Sequence, residues 1–190
     1  GPYATSRITE NIFLQARAGW GRSDNELRLD DGDTDTFSST RWLASATLNG
    51  RWSDGPWSFQ PAMSVSYLVD ATEGYSNHIG QIVPAVRTHL GQMKAGPTVS
   101  YRYQYPEGTV VEPRVGAQLI WDFATGTSAA GVSTLAETTA GAGIRGRSEV
   151  GLRASNHDGI VLDLAASYDG IGATSYQAVT GRAAVVVPLN

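Results

Sequence analysis

The most informative stretch of this 190-residue sequence is residues 41–52, which read Arg41-Trp42-Leu43-Ala44-Ser45-Ala46-Thr47-Leu48-Asn49-Gly50-Arg51-Trp52. Every second residue from Trp42 to Trp52 is apolar or glycine, and most of the residues between them are polar or charged. Successive side chains of a β-strand point to opposite faces of a sheet, so this period of two predicts a strand with one apolar and one polar face. A tryptophan stands at each end of the apolar face.

The same alternation recurs along the chain and predicts nine strands in all. It is clear in residues 57–69, 93–105 and 111–123, and weaker in 3–8, 12–21, 138–154, 160–168 and 176–189. Residues 9–11, 53–56, 106–108 and 156–159 have the composition of tight turns, whereas 22–39, 70–88 and 124–137 are longer connections. Short turns at one end and long loops at the other are typical of an antiparallel transmembrane β-barrel of the bacterial outer membrane, with the turns in the periplasm. The predicted fold class is therefore all-β.

Composition agrees with this class and excludes others. The chain has 22 Gly, 8 Tyr and 5 Trp, which is a β-rich profile, and no cysteine, which excludes thiolate chemistry. No window approaches the roughly 18 consecutive apolar residues of a membrane helix. A net charge of −4 argues against a nucleic-acid partner.

The alternative to a membrane barrel is a soluble barrel whose apolar interior holds a small ligand. Two features favour the membrane. The predicted strands have about 10–13 residues, whereas strands of soluble sheets usually have about 5–6. Aromatic residues stand at the ends of the apolar faces, and ten residues of a tilted strand span roughly the 25 Å of the apolar band. The predicted membrane-interface aromatics are Trp20, Trp42, Trp52, Trp57, Tyr67, Trp121 and Tyr168.

Charge segregation is the third feature. The polar strand faces carry eleven of the 14 Lys and Arg residues but only four of the 18 Asp and Glu residues. A basic outer surface on a soluble barrel would suggest nucleic acid, but a hydrated, basic lumen fits better with tryptophan at the strand ends. The predicted lumen-lining residues are Arg17, Arg41, Arg51, Lys94, Arg102, Glu112, Arg114, Asp122, Arg147, Glu149, Arg153, Asp163 and Arg182. Among these, we expect Arg102, Arg114, Arg147, Glu149 and Asp163 to pair across strands.

No catalytic, cofactor or metal site is predicted. Residues 141–146 match the G-x-G-x-x-G pattern, but they open an alternating strand and not a helix. The three histidines, His78, His89 and His157, have no metal-ligand spacing. The acidic residues Asp24, Glu26, Asp30, Asp31, Asp33 and Asp35 could attract calcium, but they lack the EF-hand pattern, so a solvated outer loop is favoured. We expect no enzyme activity.

Several segments resemble the autotransporter β-domain family, and together they cover nearly the whole chain. They are Gly1-Pro2-Tyr3-Ala4, residues 17–23, 40–46 and 91–102, Glu112-Pro113, and residues 168–172. The resemblance implies a twelve-stranded barrel, preceded by a helix that threads the lumen and by a secreted passenger domain. It also implies type V secretion and a location in the Gram-negative outer membrane.

The strand count gives a separate reason to expect more strands. If the tight turns are periplasmic, the first of nine strands begins at the outer face, and an even, closed barrel then needs an odd number of strands upstream. Three would complete twelve, so we expect residues 1–190 to be a barrel domain without its N-terminal strands and lumenal helix. The expected function is export and anchoring of an N-terminal passenger, with outer-membrane lipid, the passenger and the barrel-assembly machinery as partners. The alternatives are a porin-like anchor without export and the soluble ligand-binding barrel.

Overall fold

The computed structural model describes residues 1–28, 33–129, 143–174 and 176–188, which form strands, turns and loops. In this part of the chain there is no helix with the length and apolarity to cross a membrane. The strands are β1 (Tyr3–Thr9), β2 (Ile12–Arg28), β3 (Thr34–Gly50), β4 (Trp52–Asp54), β5 (Trp57–Thr72), β6 (Tyr75–Ser76), β7 (Ile82–Val83), β8 (Val86–Tyr101), β9 (Tyr103–Gln104), β10 (Val110–Ala129), β11 (Gly143–Ser155), β12 (Val161–Ile171) and β13 (Ala178–Val186).

Nine long strands form one antiparallel sheet in the order β1-β2-β3-β5-β8-β10-β11-β12-β13. The short strands β4 and β9 pair with β5 and β10 near the tight turns, and β6 and β7 form a separate hairpin in the connection between β5 and β8. Every long strand pairs with its sequence neighbours, which is the up-and-down topology of a barrel wall. The predicted nine strands are confirmed. Within the described residues, β1 and β13 each have one partner, so the sheet is open between them.

The tight turns lie where the sequence predicts them. Gly55, Gly108 and Gly159 have φ values of 54°, 83° and 81° in three of these turns. This left-handed backbone region costs glycine little because it has no Cβ. All three turns lie at the same end of the sheet, because they are alternate connections of an up-and-down wall, joining β3 to β5, β8 to β10 and β11 to β12.

The apolar face of the sheet is the exposed one. Along β5, the outward residues from Trp57 to Tyr67 include side chains that are 41% to 55% exposed, whereas Ser58, Gln60, Ser64 and Ser66 between them are half-buried. Ile120 is the one large apolar side chain that is buried among the described residues. The sheet therefore curves toward its polar face. The described residues do not form the apolar interior of a soluble ligand-binding barrel. The alternative of a soluble barrel is therefore wrong.

Several strands are longer than the sequence predicts. The predicted connection 22–39 is mostly strand, because β2 continues to Arg28 and β3 starts at Thr34, with an unbroken ladder from Arg22↔Thr40 to Arg28↔Thr34. β5, β8 and β10 have 16 to 20 residues. The prediction of 10–13 residues was wrong because the alternation stops where both faces become polar, while backbone pairing continues. Part of the connection 124–137 is also strand, since β10 ends at Ala129, and residues 130–142 lie outside the described residues.

Candidate lumenal face and membrane interface

The polar, half-buried side of the sheet is here called the inner face, and the exposed apolar side the outer face. Eleven of the thirteen residues that the sequence predicts to line the lumen lie in strands, with a register that puts them on the inner face. The other two, Arg51 and Arg102, lie at the short breaks between β3 and β4 and between β8 and β9. Arg51 directly precedes Trp52, and Arg102 directly precedes Tyr103. Both aromatic side chains face outward, so the alternation puts the two arginines on the inner face.

Asp163 on β12 is the centre of one ion cluster on the inner face. Its two carboxylate oxygens accept hydrogen bonds of 2.9 Å from Nη1 and Nη2 of Arg114, and Oδ1 also accepts one of 2.9 Å from Nη2 of Arg182. Glu149 lies 3.8 Å from both Arg114 Nε and Arg147 Nη2. A bidentate arginine–carboxylate pair is among the stronger and more directional polar contacts in proteins. The cluster thus joins β10, β11, β12 and β13.

Gly151 makes this cluster possible. Arg114 and Asp163 lie on strands that are not neighbours, and β11 runs between them with Gly151 directly opposite Arg114. A Cβ on Gly151 would lie 2.6 Å from Arg114 Nε, so any other residue here would displace the guanidinium. The missing side chain lets Arg114 cross the strand and reach Asp163. No sequence pattern predicts this crossing.

A second cluster lies closer to the long connections. Arg145 donates to Asp122 and, at 3.0 Å, to Asp169, while Gln92 donates to Asp122 at 2.6 Å. The guanidinium carbon of Arg145 lies 5.2 Å from the ring centroid of Tyr176. Asp122 is only 7% exposed, so these contacts satisfy a buried carboxylate.

Sequence reasoning left three members of this second cluster out of the lumen-lining set: Gln92, Arg145 and Asp169. A signal for Asp169 was present, because counting in steps of two from Asp163 along β12 reaches it. Arg145 likewise shares the phase of Arg147 on β11. Cross-strand ion pairs form at Arg114, Glu149 and Asp163, whereas the carboxylate within 4.0 Å of Arg147 is Glu149, two residues away on the same strand. Arg102, which we expected in the same network, has no carboxylate within 4.0 Å among the described residues.

The seven predicted interface aromatics lie on the outer face. Trp20 and Trp42 are directly opposite each other on β2 and β3, with ring centroids 6.1 Å apart, toward the long connections. Trp52 contacts Phe59 at 6.2 Å near the tight turns. There, Trp57 also meets Tyr101 edge-on at 4.8 Å. Tyr67, Trp121 and Tyr168 belong to the group on the side of Trp42. Two aromatic groups separated by an apolar band are the pattern of a barrel that spans a bilayer.

Comparison with known proteins identifies the family of the chain. The family model described as "Autotransporter beta-domain" matches residues 1–169. The chain belongs to the autotransporter β-domain family. Among solved structures, the chain is similar to the beta domain of the Bordetella autotransporter BrkA, with 18% identity, a TM-score of 0.55, and coverage of 96% of this chain and 68% of that chain. That likeness concerns the fold. No curated protein matches the sequence.

Family membership makes this autotransporter β-domain an outer-membrane translocator of Gram-negative bacteria, part of type V secretion, and confirms the predicted recognition, location and function. The two aromatic groups are consistent with that location. The matched structure is longer than this chain, which covers 68% of it.

The inner face of the β-domain has two walls with different charge. Among the described residues, the inner face of the β10–β13 wall contains five cations, Arg114, Arg145, Arg147, Arg153 and Arg182, and five carboxylates, Glu112, Asp122, Glu149, Asp163 and Asp169. In the described part of the β1–β8 wall, from the tight turns up to the Arg41–Asp70 ion pair, the inner face contains six cations, Arg7, Arg17, Arg41, Arg51, Lys94 and Arg102, and one carboxylate, Asp70. The excess positive charge of the inner face therefore lies on the β1–β8 wall.

The residues considered for metal binding are separated in the structure. Asp35 is buried and accepts the His78 backbone N–H at 2.8 Å, Asp24 accepts a hydrogen bond from Ser38, and Glu26 lies 3.3 Å from Arg28. Asp30 and Asp31 lie outside the described residues. No group of three or more potential ligands forms among the residues that the structure describes. Gly143 and the residues after it form β11, so the glycine pattern leads into a strand.

Proposed function

We propose that this β-domain forms most of the wall of a hydrated lumen through which an N-terminal passenger reaches the cell surface. The observation that carries the proposal is the inverted exposure of the sheet, seen along β5, where the apolar residues are exposed and the polar residues between them are half-buried, together with the charged residues that share the polar face. An apolar outer band stabilises the barrel in lipid, and a polar lumen allows water and polar backbone groups to enter. No part of this function requires catalysis.

The wall is completed, in this proposal, by strands that precede Gly1. Within the described residues, β1 and β13 each have one unpaired backbone edge, and each unsatisfied group at such an edge costs several kcal/mol in a bilayer. Three more strands would join β13 to β1 and give an even number. A lumenal helix between the passenger and the first strand would occupy the pore after export.

The thirteen predicted lumen-lining residues, together with Gln92, Arg145 and Asp169, are proposed to face this lumen. The ion clusters at Asp163 and Asp122 keep the β10–β13 wall rigid, because each cluster fixes several strands at once. The seven interface aromatics contact outer-membrane lipid headgroups. Insertion depends on the barrel-assembly machinery.

The test is a pair of measurements on the full-length protein. An epitope inserted on the N-terminal side of the β-domain should become accessible to antibody on intact cells, and the barrel without its N-terminal segment should conduct ions in a planar bilayer. A folded outer-membrane barrel that conducts but leaves the epitope in the periplasm would instead be an anchor without export. A folded barrel that never conducts would contradict a hydrated lumen.

A further inference from the structure

We propose that the open lumen conducts small anions in preference to small cations, because the inner face of the β1–β8 wall carries an excess of positive charge. This inference rests on the proposed function, since it requires a hydrated lumen. It deepens that function by naming the class of small solute that the lumen admits.

The positive charge of the β1–β8 wall is not cancelled by neighbouring carboxylates. Arg41 has Asp70 as an ion-pair partner. The other five cations of this wall have no carboxylate within 4.0 Å among the described residues, and they are Arg7, Arg17, Arg51, Lys94 and Arg102. Arg17 donates from Nε to the neutral Ser45 Oγ at 3.0 Å, which leaves its charge in place. The described part of this wall therefore has an excess of positive charge along the lumen.

The β10–β13 wall does not offset this excess. Its five cations and five carboxylates balance among the described residues, and contacts such as the two hydrogen bonds from Arg114 to Asp163 hold opposite charges together. The fields of paired opposite charges largely cancel at distances much greater than their separation. The β1–β8 wall therefore dominates the potential that the described residues produce in the lumen.

Arg17 and Lys94 lie in the part of the wall that lipid surrounds. Arg17 is three residues from Trp20 on β2, and Lys94 is seven residues from Tyr101 on β8, so both lie between the two aromatic groups. Lipid on the outer side of the wall has a low dielectric constant, which directs the field of these cations into the water of the lumen. Their charge therefore acts on the ions that cross the membrane there.

Additional strands at the edges of the sheet cannot pair with Lys94. β8 has β5 on one side and β10 on the other, and the neighbours of Lys94 on these strands are Ser64 and Ile120. Both neighbours are neutral. The counter-charge of Lys94 is therefore supplied by mobile anions of the open lumen.

A modest potential is enough for measurable selectivity. Where the mean potential is about half of kT per unit charge, monovalent anions are enriched about 1.6-fold and cations are depleted by the same factor, so the ratio is about three. We therefore expect chloride to permeate about threefold better than potassium at about 0.1 M salt, where the Debye length is about 10 Å. The ratio should approach one at about 1 M salt, where the Debye length is about 3 Å.

The experiment uses the absence of cysteine from the chain, which lets a single thiol be placed in the full-length protein. Ser64→Cys puts a thiol directly opposite Lys94 on the inner face. Thr180→Cys, on β13 opposite Ser167, puts one on the inner face of the balanced wall. The probes are two small thiosulfonates, one with a sulfonate group and one with a trimethylammonium group. Each rate is divided by the rate of the same reagent with 2-mercaptoethanol, and the ratio of the two normalised rates removes differences in thiol ionisation between sites.

At Ser64→Cys we expect a normalised anion-to-cation rate ratio of about five at about 0.1 M salt, because this thiol lies beside Lys94, where the potential is high. At Thr180→Cys the ratio should lie within about twofold of one, since that wall is balanced. Arg17→Glu and Lys94→Glu together should bring the ratio at Ser64→Cys to about one, and so should about 1 M salt.

Arg22→Glu with Arg87→Glu is the matched control, because it changes the net charge equally on the same two strands. Both arginines share the phase of the outward aromatic residues, so they lie on the outer face. The ratio at Ser64→Cys should therefore stay within about 1.5-fold of its original value. If the electrophoretic mobility of unheated samples shows that the inner-face double variant does not fold, Lys94→Gln alone replaces it and should lower the ratio about twofold.

The second measurement is the chloride-to-potassium permeability ratio of the conducting barrel, taken from its reversal potential in a KCl gradient near about 0.1 M. It should be about three in the original sequence and about one with Arg17→Glu and Lys94→Glu, because rings of charged side chains set the ion selectivity of a pore.

Ready reaction at Ser64→Cys with a normalised ratio of one or below would overturn the proposal but leave a hydrated lumen in place. A preference that survives reversal of both inner-face charges, or that the outer-face control also removes, would overturn it as well. A folded protein whose thiol reacts with neither reagent would contradict the hydrated lumen, and with it both proposals. Failure of export alone would show differently, as an epitope that stays in the periplasm while the anion preference persists.

Discussion

Replacement of Gly151 by alanine should break the ion pair between Arg114 and Asp163, although Gly151 is not a member of that pair. The new Cβ would lie 2.6 Å from Arg114 Nε. The guanidinium can move, since it ends a flexible side chain, but moving it breaks the two 2.9 Å hydrogen bonds to Asp163. Hydrogen bonds to charged groups contribute roughly 1.5–3 kcal/mol each in buried sites, and these side chains are 18% and 21% exposed. We therefore expect a loss of about 2 kcal/mol in the free energy of unfolding.

A double-mutant cycle separates this mechanism from a general effect of the extra methyl group. Asp163→Asn alone should cost about 3 kcal/mol, because Arg182 also loses its partner, and Gly151→Ala should then add almost nothing. The expected coupling is about 2 kcal/mol. The assay is urea unfolding in lipid vesicles, followed by the fluorescence of the five tryptophans.

Gly181→Ala is the matched control, because a Cβ on Gly181 of β13 meets nothing within 4 Å. It should be neutral or stabilise by up to about 1 kcal/mol, as alanine loses less backbone entropy than glycine on folding. Additive effects of Gly151→Ala and Asp163→Asn, or equal costs at the two glycines, would refute the reasoning.

Three further outcomes follow from the same structure. Asp122→Asn should lower stability by about 2 kcal/mol in the same urea assay, because it removes a carboxylate that is 7% exposed and engages Arg145 and Gln92. Val65→Arg on the outer face should cost about 2–4 kcal/mol in lipid and Ser66→Arg on the inner face much less, and equal costs would contradict the assignment of faces. Asp35→Ala should make residues 73–85 more sensitive to added protease on intact cells, because the Asp35 carboxylate accepts the His78 backbone N–H and alanine has no acceptor there; unchanged digestion would show that other contacts hold this connection.

The faces of the sheet could be predicted from the sequence because alternation is a local signal. Trp42 and Ser45 differ in phase, and no knowledge of the neighbouring strands is needed to put them on opposite sides. The same signal failed at the far ends of β2 and β3. From Ser23 to Arg28 both faces are polar, so the pattern ends although the backbone pairing continues.

The ion clusters could be predicted only in part, because they depend on register. That Arg114 is polar and faces inward follows from its phase, but its partner on β12 depends on Gly151 being directly opposite it on β11. A one-residue shift of β11 would put a side chain in the path of the guanidinium. The difference in charge between the two walls can likewise be recognised only when strand order and pairing are known. Lys94, for example, has neutral neighbours because Ser64 and Ile120 flank it on the adjacent strands.

The exposed apolar face meets lipid, and the half-buried polar face meets water. The most direct test of this arrangement is a nitroxide scan along residues 62–67 of β5, one introduced cysteine at a time, with the full-length protein in lipid bilayers. We predict high accessibility to oxygen at Met63, Val65 and Tyr67, and high accessibility to a water-soluble nickel complex at Ser64 and Ser66. The opposite phase, or six positions with equal accessibility to both reagents, would contradict the account.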